Sequence, residues 1–189
     1  MSTLTKTLGT VTLALVGMAV QAEDFSSLMQ VAKGTWPEKT HLGVICDYRN
    51  SKDQVEDLAR AAGPNAKITV VDVHRQDQAQ LGAQLLATRN TQYMVLLPGD
   101  PIIRDGSFGA TLAISRLATY GIPSVGTSPK AIGQGAVFSL GDGTNGEVLV
   151  TNRLKGTVDV ILPEGISFSR RASLSLSEGM ASIEVFAQN

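Results

Sequence analysis

Four polar residues have the types and the spacing to hold a small polar ligand. Asp100 follows the apolar run 93–97, Asn50 and Ser51 follow another apolar run, and Thr127 follows a third. A carboxylate suits an amine or a hydroxyl, whereas hydroxyls and free backbone N–H groups at helix N-termini suit a carboxylate. Together these residues predict a site for a zwitterion such as an amino acid.

The same residue types also have ordinary structural uses. Ser51, Ser107 and Ser128 could each cap a helix. Asp residues in turns commonly accept hydrogen bonds from their own backbone, which would account for Asp100. At this stage both interpretations, ligand binding and local structure, stay open.

No arrangement typical of catalysis or of metal binding is recognisable in the sequence. There is no Gly-x-Ser-x-Gly nucleophile elbow and no phosphate-binding Walker loop. His41 and His74 lie at the ends of predicted strands and have no ligand spacing to each other or to Cys46. We therefore predict a protein that is not an enzyme and that has neither a cofactor nor a metal site.

Alternating strands and helices would position the polar loops. The predicted strands cover residues 41–46, 67–73, 93–97, 122–126 and 136–140, and the predicted helices cover 24–33, 51–62, 76–88 and 108–120, with a short helix after Ser128. This alternation predicts right-handed βαβ units and an α/β fold, a Rossmann- or flavodoxin-like three-layer α/β/α arrangement around a mostly parallel sheet. The polar loops then share the carboxyl edge of the sheet, where such folds bind ligands.

The C-terminal part follows a different pattern. Residues 148–150 and 158–162 resemble strands, and residues 183–186 could form an edge strand, so antiparallel C-terminal edge strands are a further expectation. We predict an α/β domain over 23–165 and a Ser-rich extension over 166–189.

The N-terminal residues have the features of a secretory signal peptide. Lys6 precedes an apolar stretch over 8–20, and Val20-Gln21-Ala22 places compact residues before a cleavage point. The stretch is too short for a stable membrane span. The expectation is a cleaved signal over 1–22 and a periplasmic or secreted mature protein.

Composition limits the class of protein. The chain has 189 residues, 43% of them hydrophobic, and a formal net charge of −1, which suits one globular domain with a substantial core. Near-neutral charge with 5% aromatic residues argues against a nucleic-acid partner. Cys46 is the only cysteine, so no intramolecular disulfide forms, and we expect it to be a buried apolar residue.

Four short motifs follow one another between residues 41 and 141. They are Leu42-Gly43-Val44-Ile45 with Asn50-Ser51, the run from Tyr93 to Asp100, Gly121-Ile122-Pro123-Ser124-Val125, and Gly135-Ala136 with Ser139-Leu140-Gly141. Their order and spacing resemble one lobe of a bacterial ABC-transporter substrate-binding protein, from the type I periplasmic-binding-protein-like family that includes amino-acid binders.

The resemblance implies a ligand held by strand-end loops. Asn50, Ser51, Asp100 and Thr127 match the family's loop positions. Members of the family have two lobes, and they continue through a helix where this chain has a glycine turn over 141–146. The expected function is binding of a small polar, amino-acid-like ligand, with an ABC permease, a sensor or a second copy as partner. The alternative is an envelope adaptor that uses the lobe for protein contact.

Overall fold

Helices and strands alternate along the part of the chain that the structure describes. The structure is a computed structural model, and it describes residues 23–140, 148–150 and 181–187. The helices are α1 (Glu23–Thr35), α2 (Tyr48–Ala62), α3 (Ala79–Thr88), α4 (Phe108–Ala118) and α5 (Pro129–Gln134). The strands are β1 (His41–Cys46), β2 (Lys67–Asp72), β3 (Tyr93–Val95), β4 (Ser124–Gly126), β5 (Phe138–Leu140), β6 (Val148–Val150) and β7 (Ser182–Ala187).

The seven strands form one sheet in the order β6-β5-β4-β3-β1-β2-β7. Every neighbouring pair is parallel except β5 and β6, which are antiparallel. The inner order 2-1-3-4-5 is that of flavodoxin-like folds, whose topological switch point lies between β1 and β3. The predicted α/β fold with a mostly parallel sheet is confirmed.

Helices cover both faces of the sheet and bury one apolar cluster on each. Side chains of α1 and α2 pack on one face, and side chains of α3, α4 and α5 pack on the other. On the first face, Trp36 packs between Tyr93 and Phe138, with ring centroids 5.5 and 5.3 Å away. Cys46 lies in the same cluster, and its burial raises the pKa of the thiol, so the side chain stays protonated as a small apolar residue.

Several element boundaries differ from the sequence-based expectations. Helix α2 begins at Tyr48 rather than at Ser51, and the predicted helix over 76–88 divides into a 3-10 turn, Gln76–Gln78, and α3. Strand β3 ends at Val95, two residues early, although the Leu96 N–H still donates to the Val125 carbonyl at 3.0 Å.

The C-terminal strands agree with expectation in part. Strand β6 is an antiparallel edge strand, as predicted. Strand β7 also lies at an edge, but it is parallel to β2, with its first residue, Ser182, opposite Lys67 at the amino end of β2. The predicted strand over 158–162 and the predicted signal over 1–22 lie outside the described residues. Among the residues that are described, no helix is long and apolar enough to cross a bilayer.

Candidate functional site

The loops that follow β1, β2, β3 and β4 lie along the carboxyl edge of the sheet. The four predicted ligand-binding residues all belong to this edge, since Asn50 and Ser51 lie in the first turn of α2, Asp100 follows β3 and Thr127 follows β4. Parallel strands end at the same edge, so residues far apart in sequence meet there. The contacts of these residues define what the edge can bind.

Asp100 fastens two loops across the switch point. Its side chain is fully buried, and Oδ2 accepts hydrogen bonds from the Asp47 N–H at 2.8 Å and from Ser51 Oγ at 2.6 Å. Oδ1 accepts from the N–H groups of Ile102 and Ile103, at 2.9 and 2.6 Å. Four donors thus surround this carboxylate within the chain, and a ligand would need to displace one of them to reach it.

Ser51 and Asn50 have different environments. Ser51 is buried and donates to Asp100, which explains why it lies inside α2 rather than at its cap. Asn50 is exposed, and its Nδ2 donates to Asp47 Oδ2 at 2.8 Å. The side-chain oxygen of Asn50 is therefore the part of this pair that a ligand could contact directly.

Thr127 lies against a second buried carboxylate, that of Asp105. Asp105 Oδ2 accepts from the backbone N–H groups of Thr127 and Ser128, at 2.9 and 2.6 Å. Burial raises the pKa of Asp105, and the hydrogen bonds from Ser128 and Thr127 act in the opposite direction. Asp105 thereby supplies a hydrogen-bond acceptor at the start of α5.

The helix N-termini at this edge already have acceptors from the chain itself. Asp72 Oδ1 accepts from the Tyr48 N–H of α2 at 2.9 Å, and Asp105 Oδ2 accepts from the Ser128 N–H at the start of α5. At α4, Ser107 Oγ accepts from Ala110 and Gln76 Oε1 accepts from Gly109. The sequence-based expectation that these N-termini present free N–H groups to an anion therefore does not hold for the donors named here.

Positive charge at the edge comes instead from arginines. Arg49 in α2 and Arg104 in the β3–α4 loop are both exposed. Neither forms an ion pair within 23–140, 148–150 and 181–187. The edge thus combines exposed guanidinium groups with buried or half-buried carboxylates.

Two carboxylates and an imidazole meet where β1 and β2 end. Asp47, Asp72 and His74 each place one ligand-type atom within 4.8 Å of the others. His74 Nε2 lies 3.8 Å from Asp72 Oδ2. The second histidine, His41, is at the opposite edge, where its Nε2 contacts Thr69 Oγ1 at 2.8 Å. The structure therefore separates the two histidines and brings only His74 to the candidate site.

Part of this chain has the same fold as regions of known protein structures. Residues covering 62% of this chain match a conserved domain protein from Vibrio cholerae O1 biovar El Tor, with TM-score 0.55 and 18% identity. An equal share matches an ABC domain in complex with L-Trp from Streptococcus pneumonia, with TM-score 0.53 and 15% identity. The chain shares its α/β fold with part of both structures. No protein-family model and no curated protein sequence matches the chain.

The matched region is a part of each neighbour. It covers 39% of the Vibrio cholerae chain and 40% of the Streptococcus pneumonia chain. At these identities the likeness establishes the fold alone. This shared fold agrees with the α/β lobe that the sequence motifs resemble.

Sequence reasoning missed three carboxylates that organise this edge, those of Asp47, Asp72 and Asp105. Asp47 directly follows β1, and Asp72 is the last residue of β2. Because parallel strands end at the same edge, the sequence could have placed these two residues beside each other. Asp105 had no such signal, because its partners Thr127 and Ser128 lie 22 and 23 residues further along the chain. That the four predicted residues bind a ligand stays a prediction.

Proposed function

We propose that this protein is a non-enzymatic binding protein of the periplasm that recognises a small polar, amino-acid-like ligand at the carboxyl edge of its sheet. The observation that carries the proposal is that Asp100 holds together the segments that follow β1 and β3 at the switch point. We call the exposed surface of these segments the rim. Ligands of open α/β sheets bind in this crevice. A solved neighbour with the same fold is in complex with L-Trp, which supports an amino-acid-like ligand.

The charges at the rim suit the two ends of an amino acid. Arg49 and Arg104 are exposed and can pair with a carboxylate, for which a guanidinium offers two parallel donors. The side-chain oxygen of Asn50 and the hydroxyl of Thr127 can contact the amine and the polar atoms of the ligand. Asp100 then acts mainly by holding Ser51 and the Asp47 N–H in place beneath the ligand.

The biological setting is part of the same proposal. The apolar stretch over 8–20 and the cleavage pattern at Ala22 support export. We propose that the mature protein passes its ligand to an ABC permease or a sensor. Mass spectrometry of the protein from an envelope fraction should give Glu23 as the first residue, and an uncleaved N-terminus would contradict export through a cleaved signal.

A ligand screen tests the binding proposal. We expect at least one L-amino acid to raise the melting temperature of the purified protein, because a ligand that binds only the folded state stabilises it by about 2.7 kcal/mol at 100 times Kd. Arg49→Ala and Arg104→Ala should reduce this shift. Arg60→Ala, which removes an exposed arginine from the last turn of α2, is the matched control and should retain it.

Two outcomes would contradict the proposal. The first is that no amino acid shifts the melting temperature at millimolar concentration. The second is that both rim variants keep the full shift, which would place binding elsewhere. Asp100→Ala is unsuited to this test, since it leaves four donors without their acceptor and lowers stability directly.

One observation favours the alternative of an envelope adaptor. Phe108, the first residue of α4, is 65% exposed at the same edge as the rim. An exposed aromatic residue is a common anchor in protein interfaces. Under this alternative the protein would copurify with one defined partner, the complex would be lost in Phe108→Ser, and the arginine variants would leave it intact.

A further inference from the structure

Asp47, Asp72 and His74 form a cluster of metal-ligand side chains that the proposed amino-acid binding does not require. Asp72 is the last residue of β2, Asp47 directly follows β1, and these two strands pair in parallel along their whole length. His74 lies two residues beyond Asp72. Carboxylate oxygens and an imidazole nitrogen from three separate side chains therefore converge within 4.8 Å.

Each of the two carboxylates accepts one hydrogen bond from a neighbouring group, which orients it. The Tyr48 N–H donates to Asp72 Oδ1 at 2.9 Å, which leaves Asp72 Oδ2 to face His74 Nε2 at 3.8 Å. Asn50 Nδ2 donates to Asp47 Oδ2 at 2.8 Å. Such second contacts orient metal ligands in known sites, where they fix the direction of each ligand atom.

One carboxylate oxygen of Asp47 is buried without a hydrogen-bond donor among the described residues. Asp47 Oδ1 is shielded from solvent, and it has no partner among the residues that the structure describes. A buried carboxylate oxygen with no donor costs free energy. A cation bound between Asp47, Asp72 and His74 would supply the missing contact. This oxygen is an observation separate from the convergence of the three side chains.

We propose that Asp47, Asp72 and His74 bind one divalent first-row transition-metal cation, with Zn²⁺ as the best match. Imidazole favours zinc and its neighbours, whereas sites for Mg²⁺ and Ca²⁺ consist of oxygen ligands alone. Ligands at about 2.0–2.2 Å from zinc lie roughly 3.4 Å from one another. The present separations of up to 4.8 Å thus need a closure of at most about 1.4 Å. The exposed His74 side chain can approach by a small rotation, and the two carboxylates must also move toward each other.

The three side chains leave at least one coordination position open to solvent. His74 is 61% exposed and Asp72 is 17% exposed, so the cluster opens on the same edge as the proposed rim. Asn50, predicted from sequence to contact the ligand, holds Asp47 in this arrangement. The metal proposal does not depend on amino-acid binding, and each can fail while the other stands.

Calorimetry with metal alone tests the proposal. Untagged protein, stripped with chelator and free of amino acids, is titrated with Zn²⁺, and parallel titrations use Mg²⁺ and Ca²⁺. We expect one Zn²⁺ per chain and no comparable binding of Mg²⁺ or Ca²⁺. His74→Ala should weaken Zn²⁺ binding by at least tenfold, since even a second-shell change typically costs about 10–100-fold.

Matched variants separate this site from unspecific binding. Asp77→Asn removes an exposed acid three residues beyond His74, and it should leave the Zn²⁺ affinity unchanged. His74→Ala alters an exposed side chain and is expected to keep the fold, which circular dichroism verifies. Co²⁺ bound in place of Zn²⁺ should give visible absorption bands that disappear in Asp72→Asn. Equal Zn²⁺ affinity in wild type and His74→Ala, or no binding by wild type, would overturn the proposal.

Discussion

At the level of residues, the carboxylates of Asp100 and Asp105 have the same task in different loops. Each accepts at least one backbone N–H group from a neighbouring segment, and so takes up donors that an external anion could otherwise use at this edge. The sequence predicts Asp100 as a ligand-binding residue, and in the structure its carboxylate accepts hydrogen bonds from Asp47 and Ser51. Its partners Asp47 and Ser51 lie 53 and 49 residues earlier, so their hydrogen bonds could not be read from local pattern.

The buried carboxylate of Asp105 predicts that the stability of the folded protein depends on pH. Burial raises the pKa of Asp105 in the folded protein above its ordinary value of about 3.9. The folded state then holds the proton more tightly than the unfolded state, so this group lowers the free energy of unfolding as pH rises from about 4 through the raised pKa. The cause is the cost of ionising a carboxylate whose Oδ1 is buried without a partner among the described residues.

Urea denaturation at several pH values between about 4 and 7 measures the effect. Relative to Asp105→Asn, wild type should lose stability as pH rises across this window. Asp53→Asn, at an exposed position of α2, is the control and should follow wild type at each pH. A constant difference between wild type and Asp105→Asn across the window would refute the assignment.

At the level of elements, sequence patterns predict which helices and strands form better than they predict where each begins and ends. Strand β1 has the predicted bounds, because its apolar run ends at a polar loop. Helix α2 starts earlier than expected, because Ser51 donates to Asp100 across the switch point and is not needed as a cap. The parallel direction of β7 was not predictable, since direction depends on the path of the chain and not on the local alternation of side chains.

The contact between β4 and α5 predicts opposite effects for two glycine substitutions. A Cβ at Gly126 would lie 2.1 Å from the Cβ of Ala131, so Gly126→Ala must push α5 away from the sheet. Overpacking of this kind typically costs about 1–3 kcal/mol. A Cβ at Gly133 in α5 meets nothing within 4 Å, and Gly133→Ala should stabilise the helix by up to about 1 kcal/mol.

Thermal and urea denaturation of both variants measure these effects. Because the two substitutions are chemically identical and lie on neighbouring elements, their difference isolates the close approach of β4 and α5. A Gly126→Ala variant as stable as wild type would show that α5 moves freely relative to the sheet. That result would also weaken the role assigned to Asp105, which holds the connection between these two elements through Thr127 and Ser128.

At the level of the whole molecule, the rim of the proposed site needs a second body to enclose a ligand. Ligand pockets usually bury about 70–90% of the ligand surface, whereas Arg49, Arg104 and Phe108 are exposed at this edge. We expect a second copy of the chain to supply the enclosure. The amino acid that stabilises the protein should then also shift it from monomer toward dimer, because ligand buried between two copies binds the dimer more tightly.

Sedimentation velocity with and without that amino acid measures the shift. Phe108→Asp should reduce the ligand-dependent dimer, because it places a charge where the apolar ring would be buried. Tyr120→Asp changes another exposed aromatic residue, which lies just beyond the C-terminal end of α4 and so at the opposite edge, and it should leave the dimer unchanged. A protein that stays monomeric at saturating ligand would show that a single lobe suffices or that a different protein completes the site.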